Sequence, residues 1–295
     1  MSQTITSAEE FAALDNGNRL IGHAPKMNNA SIVFGGKNNV LYCEDGVALG
    51  NVAIRFNGNN GLVVLGRNKH AYHLDITLYT NCTYVFDREI YFNAALHAIA
   101  SEECTVALGE GCLVSFGIWI RTADPHLIFD AESQKRINPS RNVIVGDHVW
   151  IGQSAMLLKG TTVGSGSIVG AASVVAGKTI GSNSSWAGNP SKRIRGGLFW
   201  EGSSVHNWTK KKAAKFKTMD GAPYQFAPDE STLGKGFAIA GSTPAEERLE
   251  HYLGIGFDNR AHNRLAVEDA APAKAPAPVP EHKGLVSSLK RRLGN

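Results

Sequence analysis

A six-residue repeat runs without interruption from residue 145 to residue 180. Written in sixes, this stretch reads VGDHVW, IGQSAM, LLKGTT, VGSGSI, VGAASV and VAGKTI. The first position of every hexad is aliphatic, the second is glycine in four of the six, and the fifth is small or β-branched. A period of six residues matches neither the period of an α-helix nor that of an alternating strand. It indicates a chain that turns a corner every six residues. The repeat predicts an all-β solenoid with three sides per coil and parallel ladders between stacked coils.

A looser repeat precedes the hexads. Four segments between residues 38 and 112 recur about 22 residues apart, which predicts wider coils with longer corners. Each segment brings one large apolar residue to the same place in its coil. The residues predicted to form this stacked column are Tyr42, Val64, Phe86 and Leu108.

Residues 121–144 interrupt the solenoid with a polar, non-repeating stretch that begins RTADPHLIFD. Long loops inside a regular scaffold commonly carry function. The loop holds a single histidine, His126. Imidazole is the side chain that most readily accepts and returns a proton near neutral pH, which suits the role of a general base. The ejected loop is therefore the predicted catalytic element, with His126 as its base.

The two ends of the chain do not follow the repeat, and we predict four parts. Residues 1–30 form a cap on the first coil, residues 31–197 form the solenoid, residues 198–268 form a C-terminal extension, and residues 269–295 form a Pro/Ala linker with a basic tail.

Each of the two end regions contains one predicted short helix. In the cap, SAEEFAALD indicates a helix with Ser7 as its N-cap. In the extension, STPAEERLEHYLG indicates a helix capped by Ser242 or Thr243, with Pro244 in the first turn and Gly254 at the stop.

Composition narrows the class of protein. A formal net charge of +4 over 295 residues is too small to indicate nucleic-acid binding, although TKKKAAKFK and SLKRRLG carry much of the excess. No apolar run reaches the roughly 18 residues of a membrane span, and the first residues lack a signal-peptide pattern, so we expect a cytoplasmic protein without an integral membrane segment. The four cysteines lack zinc-site or CxxC spacing, so we expect reduced thiols and no metal.

The hexads resemble those of the hexapeptide-repeat acyltransferases, and WAGNPSKRIR (186–195) is similar to the AGNPAKxIR that closes their coils. The resemblance covers about residues 90–200. The setting of His126, IRTADPH before GDHVWIG, looks like the subgroup that O-acetylates sugars and polysaccharides. The resemblance implies a left-handed parallel β-helix, acetyl-CoA as co-substrate, and a homotrimer with a site at each subunit boundary.

The resemblance also implies roles for individual residues. His126 would be the catalytic base, Trp150 in VWIG would form the active-site wall beside it, and Asn93 in YFN would contact the acceptor. Asp124 or Asp130 would orient the imidazole, and the sequence leaves the choice between them open. The residues that would hold acetyl-CoA are Gly152, Ser154, Gly170, Ala171, Lys178, Lys192, Arg193 and Arg195.

Other histidines offer weaker alternatives. His148 lies at a hexad corner, where any polar residue would serve, and is the rival candidate for the base. His70, His73 and His97 fall in the wider coils, where we expect structural or acceptor-facing roles.

The function predicted from these features is O-acetyl transfer from acetyl-CoA to a carbohydrate hydroxyl, in a capsular, exo- or lipopolysaccharide. Three alternatives remain open at this stage. The first is a smaller acceptor: an antibiotic, a free sugar, serine or the amine of a nucleotide-sugar. The second is a zinc-dependent β-helix hydratase, although the His-x4-His pair of such enzymes is missing. The third is a non-catalytic trimeric scaffold.

Overall fold

A computed structural model describes residues 2–219, 221, 224–226, 239–254 and 265–269. Most of these residues build a parallel β-solenoid with three sheets, named A, B and C, around one apolar core. Each complete coil passes from sheet B to sheet C to sheet A and then returns to sheet B one level further along.

The strands are numbered in chain order, and within a sheet each strand stacks on the one named before it. Sheet A contains β1 (Gln3–Ile5), β3 (Lys26–Phe34), β5 (Ala48–Phe56), β7 (Leu74–Leu78), β10 (Leu96–Ala100), β13 (Trp119–Arg121), β16 (Met156–Leu158) and β19 (Val174–Ala176). Sheet B contains β2 (Arg19–Gly22), β4 (Val40–Cys43), β6 (Leu62–Leu65), β8 (Thr83–Phe86), β11 (Thr105–Leu108), β14 (Val143–Val145), β17 (Thr162–Val163) and β20 (Thr179–Ile180). Sheet C contains β9 (Tyr91–Phe92), β12 (Leu113–Val114), β15 (Trp150–Ile151), β18 (Ile168–Val169), β21 (Ser184–Ala187) and the antiparallel β22 (Lys192–Gly196).

Coil length changes along the solenoid. In the wide coils, Asp75 pairs with His97, which lies 22 residues further along the chain. After the loop, the Asp147 N–H donates to the Ser165 hydroxyl across one coil, a step of 18 residues that corresponds to three hexads. Sheet C begins only at β9, and sheet A contains two long strands of nine residues each, β3 and β5, in the early coils.

The predicted column in the wide coils is wrong by one residue at its centre. Tyr42 pairs with Val64 as expected, but Val64 pairs with Val85, and Phe86 pairs with Leu65. The coil from β6 to β8 is one residue shorter than its neighbours. Because side chains alternate between the two faces of a strand, one missing residue moves the following residue to the other face.

The N-terminal cap is shorter than predicted. The ladder of the solenoid begins at Arg19, where β2 pairs in parallel with β4, and not at residue 31. The predicted helix is a 3₁₀ helix over Glu9–Ala13 that begins after Ala8, without a side-chain cap from Ser7. The cap proper consists of this helix and β1, which pairs antiparallel with β3 and so covers the edge of sheet A.

The C-terminal extension covers the outer face of sheet B. It contains a four-residue helix, α1 (Lys210–Ala213), and the predicted helix, α2 (Ala245–Tyr252). One face of α2 packs on the outward side chains of the wide coils, and the middle strands of sheet B, from β6 to β14, are buried on both faces. The residues in this contact are Ala245, Leu249 and Tyr252 on the helix, and Val40, Leu62, Val64, Val85 and Ala107 on the sheet.

The start of α2 differs from the sequence prediction. The residue before the helix is Pro244, and neither Ser242 nor Thr243 caps it. The cap comes from the solenoid instead, because the Asn60 carboxamide oxygen accepts a hydrogen bond from the Ala245 N–H at 2.7 Å. The helix is therefore held at its first residue by the coil beneath it.

Residues 265–269 form a short strap along the corners between sheets B and C. The carbonyl of Leu265 accepts from the Ser165 N–H, and the carbonyl of Val267 accepts from the Ser182 N–H, each at 2.8 Å. A side chain at Gly181 would meet the Asp269 backbone at 2.2 Å, so only glycine admits the strap there. The Pro/Ala linker and basic tail predicted from residue 269 onward lie outside the described residues, apart from Asp269 itself.

Candidate functional site

The ejected loop occupies residues 122–142, between β13 and β14, within one residue of its expected start and two of its expected end. It therefore leaves the solenoid at the corner between sheets A and B. Two ion pairs hold it to that corner. Asp124 contacts Lys159 of the following coil at 2.6 Å, and Arg136 contacts Glu102 of the preceding coil at 2.7 Å. The loop thus spans three levels of the solenoid and is fixed on both sides.

Both ion pairs lower carboxyl pKa values. The hydrogen bond from Lys159 lowers the pKa of Asp124, with a further contribution from Asn138. Hydrogen bonds from Arg136 and Ser140 lower the pKa of Glu102 to about 2. Both carboxylates are therefore charged at neutral pH, and the two loop anchors are intact there.

His126 lies exposed on this loop, two residues after the Asp124 anchor. Its backbone carbonyl accepts a hydrogen bond from the Asn138 side chain at 2.7 Å, which fixes the position of the main chain. The same carboxamide also donates to Asp124 at 3.2 Å. The imidazole itself makes no hydrogen bond within the described residues, so it projects from the corner with both nitrogens open to a partner.

Neither aspartate proposed to orient the imidazole does so within one chain. Asp124 is engaged by Lys159 and Asn138. Asp130 accepts hydrogen bonds from the Ser133 N–H and hydroxyl at 2.8 and 2.7 Å, as a turn residue does. Asp124 and the His126 carbonyl accept hydrogen bonds from the same carboxamide, that of Asn138.

Trp150 lies on the outer face of sheet C, with 39% of its surface exposed. Its indole N–H donates to the Ser115 hydroxyl at 3.4 Å, and its ring lies 6.1 Å from that of Trp200 in the C-terminal extension. Sheet C is the side of the triangular coil that lies across from the corner between sheets A and B. The expectation that His126 stands beside Trp150 is therefore wrong for a single chain.

His148, the rival base, is enclosed by the extension. Its ring is stacked between Trp200 and Tyr224, with centroids 4.0 and 3.9 Å away, and its Nε2 lies 3.0 Å from the Trp200 carbonyl. Burial lowers the pKa of His148, which favours the neutral ring. The Trp200 indole N–H donates to the His148 carbonyl at 2.9 Å. His148 fastens the extension to the solenoid.

The corner between sheets C and A carries most of the other candidate residues. The Asn93 N–H donates to the Val114 carbonyl, and the Gly152 N–H donates to the Val169 carbonyl, so equivalent backbone positions stack along this edge. A side chain at Gly152 would meet the Ala171 backbone nitrogen at 2.7 Å, and one at Gly170 would meet Ala187 at 2.8 Å. The members of this edge, in coil order, are Asn93, Ser115, Gly152 with Ser154, Gly170 with Ala171, and Ala187.

The four basic residues assigned to acetyl-CoA separate into two pairs. Lys192 and Arg195 lie exposed on β22, and Lys192 pairs with Ala187 at the end of the edge described above. The other two are engaged within the chain. Lys178 donates to the Ser191 carbonyl at 2.6 Å, and Arg193 donates to both oxygens of Asp269, at 3.0 Å from its Nε. Arg193 thus anchors the strap. This differs from the sequence prediction, which grouped Arg193 with Lys192 and Arg195 as a residue that holds acetyl-CoA.

A polar cluster on the outer face of sheet A was not singled out from the sequence. His97 Nδ1 lies 3.1 Å from an Asp75 carboxylate oxygen, and Arg55 donates to the other oxygen at 2.6 Å. The His97 ring stacks on Trp119 with centroids 4.8 Å apart. The Arg55 hydrogen bond lowers the pKa of Asp75. The repeat of the wide coils would have placed Asp75, His97 and Trp119 in one column.

The remaining histidines have local contacts. The His73 ring nitrogen Nδ1 contacts the Gly50 carbonyl, and His70 packs edge-on against Tyr91 at 5.1 Å. Within the part of the chain that the structure describes, no group of three or more metal-ligating side chains could hold an ion. Over the same residues, none of the helices has the length and hydropathy of a membrane span.

Comparison with known proteins relates these features to a class of enzymes. The family model "Bacterial transferase hexapeptide (six repeats)" matches residues 142–177. Polysialic acid O-acetyltransferase of Neisseria meningitidis is 30% identical over 125 residues, which are 42% of this chain and 58% of the relative. The enzyme of the same name from Escherichia coli O1:K1 is 36% identical over 102 residues, 35% of this chain and 33% of the relative. The chain thus spans one third to somewhat over half the length of these curated relatives.

A solved structure is similar over more of the fold. The crystal structure of the polySia specific acetyltransferase NeuO superposes with a TM-score of 0.59 and 28% identity, over 68% of this chain and 93% of that one. The similarity to hexapeptide-repeat transferases predicted from the hexads is confirmed. The predicted fold class, a left-handed parallel β-helix with an N-terminal cap and a C-terminal extension, is confirmed as well.

Proposed function

We propose that the protein transfers an acetyl group from acetyl-CoA to a hydroxyl of a carbohydrate polymer, with His126 as the catalytic base. The observation that carries the proposal is the anchored loop, which presents one exposed imidazole from an otherwise smooth hexapeptide solenoid. The relatives named for O-acetyl transfer to polysialic acid support a carbohydrate acceptor.

In this mechanism one imidazole nitrogen of His126 accepts the proton of the acceptor hydroxyl as its oxygen attacks the thioester carbon. A backbone N–H stabilises the oxyanion of the tetrahedral intermediate. When the carbon–sulfur bond breaks, the imidazolium returns the proton to the thiolate of CoA. Atoms and charge balance without a covalent acyl-enzyme, and the only product besides CoA is the acetyl ester.

The site is formed between two copies of the chain, in a homotrimer. His126 projects from the corner between sheets A and B, whereas Trp150 lies on sheet C, across the coil from that corner, and bonds Ser115 at the end of β12. A neighbouring copy can place its loop, with His126, against sheet C of the first copy. His126 and Trp150 then lie together, although they are apart within one chain. Threefold closure gives three equivalent sites and leaves no half-site unpaired.

Acetyl-CoA lies along the edge between sheets C and A. Gly152, Gly170 and Ala171 keep this edge low enough for a pantetheine arm to approach the main chain. Lys192 and Arg195 stand at its far end, where the phosphate groups need cations. Trp150 closes the other side, braced by Trp200. Lys178 does not contact acetyl-CoA in this proposal, because its ammonium group binds the Ser191 carbonyl just before β22.

The acceptor lies on the side of Asn93 and the wide coils. Asn93 is exposed at the start of the edge that ends in the acetyl-CoA residues, and its carboxamide can bind a sugar hydroxyl. The Arg55, Asp75 and His97 cluster lies round the same corner on sheet A and can bind further sugar units. His97 follows Asn93 by four residues along the chain. We place the reaction in the cytoplasm, where acetyl-CoA is available, as a step in capsule or other surface polysaccharide production.

The test compares His126→Ala with His23→Ala, which removes another exposed histidine far from the loop. Transfer of labelled acetyl groups from acetyl-CoA to anionic and neutral polysaccharides is measured together with acetyl-CoA binding by calorimetry. Loss of a general base lowers turnover by about 10²–10⁴-fold. We expect that loss in His126→Ala with acetyl-CoA affinity retained, and no loss in His23→Ala. Turnover near the wild-type value in His126→Ala contradicts the proposed mechanism.

Acetyl transfer, acetyl-CoA binding and the zinc content of the purified protein together separate the alternatives. Labelling of free sugars, an aminoglycoside or a nucleotide-sugar with no labelling of polymers would favour a small acceptor. Absence of acetyl-CoA binding in the wild-type protein would favour the trimeric scaffold. Stoichiometric zinc in the purified protein would favour the hydratase.

A further inference from the structure

Residues 205–219 of the C-terminal extension form a basic, partly apolar surface that the acetyl-transfer site does not use. The stretch 202–219 contains five lysines and no acidic residue. Three of the lysines lie in α1, two follow it, and all five are exposed. None of the ion pairs found among the described residues involves them. The lysines are Lys210, Lys211, Lys212, Lys215 and Lys217.

Large apolar side chains stand among these lysines without cover. Phe216 is 60% exposed, Val205 is 63% exposed and Met219 is 49% exposed. Single exposed apolar residues need no explanation, but three of them within fifteen residues, interleaved with lysines, form a patch of mixed character. Exposing these apolar side chains to water costs free energy. Binding to a surface that offers an apolar layer beneath negative charges recovers that free energy and pairs the lysines.

The internal packing of the segment gives it a defined shape. The Thr209 hydroxyl accepts from the Lys212 N–H at 3.2 Å and caps α1. The Trp208 and Phe216 rings pack against each other at 4.6 Å, and the Lys212 ammonium lies 5.0 Å above the Trp208 ring. The two rings therefore make one apolar knob with lysines around it, and they do not stand apart as separate stacking platforms for bases or sugar rings.

We infer that residues 205–219 dock the protein on an anionic membrane surface. The apolar knob and Met219 would enter the boundary between headgroups and acyl chains, while the lysines contact the headgroup phosphates. Each lysine near an anionic lipid surface adds favourable free energy, and that attraction is screened by salt. The interaction is peripheral and positions the acetyl-transfer site next to a membrane.

The inference is tested by flotation of the full chain with vesicles of phosphatidylcholine alone or with phosphatidylglycerol added. One variant carries Lys210→Gln, Lys211→Gln, Lys215→Gln and Lys217→Gln, and leaves Lys212 on its ring. A charge-matched control carries the four substitutions Lys26→Gln, Lys37→Gln, Arg67→Gln and Lys69→Gln, all exposed positions on the wide coils.

We expect the wild-type chain and the control to partition onto vesicles with phosphatidylglycerol to within about twofold of each other. The lysine variant should bind at least about tenfold more weakly. A second variant, Phe216→Ser with Met219→Ser, should lose several-fold in binding, and its remaining binding should fall more steeply with salt than that of the wild-type chain because the electrostatic part is then the larger share. Thermal unfolding shows whether each variant keeps its fold.

Three results would overturn the inference. The first is no partition of the wild-type chain onto anionic vesicles. The second is an equal loss in the lysine variant and the control, which would assign binding to net charge alone. The third is lysine-dependent binding of a soluble anionic polysaccharide without vesicle binding, which would assign the segment to the acceptor.

Discussion

The solenoid before the loop and the solenoid after it solve the same packing problem differently. The coils after the loop contain 17 or 18 residues and are filled by one aliphatic side chain per side, such as Val163, Val169 and Val175. The coils before it contain 21 or 22 residues and are filled by aromatic rings, among them the stacked pair Phe34 and Phe56. A wider triangle has more interior volume, and only larger side chains fill it to the density of a protein core. The ejected loop emerges where the two kinds of coil meet.

The largest effect that this comparison predicts is on the wide core. Phe56→Ala removes a fully buried ring from the stack with Phe34 and should lower the free energy of unfolding by about 3–5 kcal/mol. Val169→Ala, at an equally buried site in the narrow core, removes two methyl groups and should cost about 1.5–2 kcal/mol. Urea denaturation of both variants measures the difference. Equal losses in the free energy of unfolding would show that the aromatic side chains in the core do not stabilise the wide coils.

The two kinds of coil also differ in what their sequences allowed us to predict. In the narrow coils the hexads predict the strand pairing, since Trp150 pairs with Ile168 at the expected offset of three hexads. In the wide coils one omitted residue between Leu62 and Thr83 splits the predicted column into two, because the pairs on either side of it keep their register but Val64 does not pair with Phe86. Loop position was also predictable, because the repeat stops and restarts around it.

Contacts between distant parts of the chain were not predictable from local pattern. Asn60 caps α2 from 185 residues away, and Asp269 engages Arg193 from 76 residues away. For the candidate site, residue types and register suggested His126 and Trp150 but did not show that a single coil places them across from each other. That separation follows from the order of the three sheets, and not from spacing along the chain.

The second effect concerns the support given to the wide coils by α2. Arg248 is fully buried, and its guanidinium donates to the backbone carbonyls of Asn60, Asn81 and Cys82 and to the Thr83 hydroxyl. Arg248→Ala leaves buried acceptors unpaired, so we expect a loss of about 2–4 kcal/mol in the free energy of unfolding. Hydrogen exchange of the backbone amides in the wide coils measures this loss.

Arg19→Ala serves as the control, since it breaks the exposed ion pair with Glu246 at the start of the same helix. That change should cost less than about 1 kcal/mol. Similar costs for Arg19→Ala and Arg248→Ala would contradict a specific role of the buried guanidinium.

A third effect tests the loop as a bridge between the two kinds of coil. Glu102→Gln removes the ion pair that fixes Arg136 to the wide coils, so turnover should fall several-fold while the melting temperature changes little. Because the folded pKa of Glu102 is lowered to about 2, the anchor is fully present above a pH of about 4.5 and is lost as pH falls towards 2. Activity measured from pH 8 to pH 5 should therefore show no step from this group.

Glu132→Gln, on the same loop and without a described ion pair, is the matched control and should keep full turnover. If Glu102→Gln also keeps full turnover, anchoring to the wide coils is not needed to position His126.

The smallest effect concerns the end of the narrow coils. Lys192→Gln removes an exposed cation proposed for the phosphates of acetyl-CoA and should raise KM for acetyl-CoA about three- to tenfold with kcat unchanged. Arg193→Gln removes a neighbouring cation that already binds Asp269, so it should lower thermal stability and leave KM within about twofold. A larger rise in KM for Arg193→Gln would reverse the assignment of these two residues.

In the proposed trimer, an acetyl-transfer site forms only where the loop of one chain meets sheet C of another. We expect His126→Ala and Trp150→Ala to be inactive each by itself. Subunits of the two variants are mixed, dissociated and reassembled, and acetyl transfer to the polymer acceptor is then measured. In random trimers made from equal amounts, about one quarter of the sites join an intact loop to an intact sheet C, so about a quarter of wild-type activity should return. If both residues of each site came from the same chain, the mixture would stay as inactive as its two components.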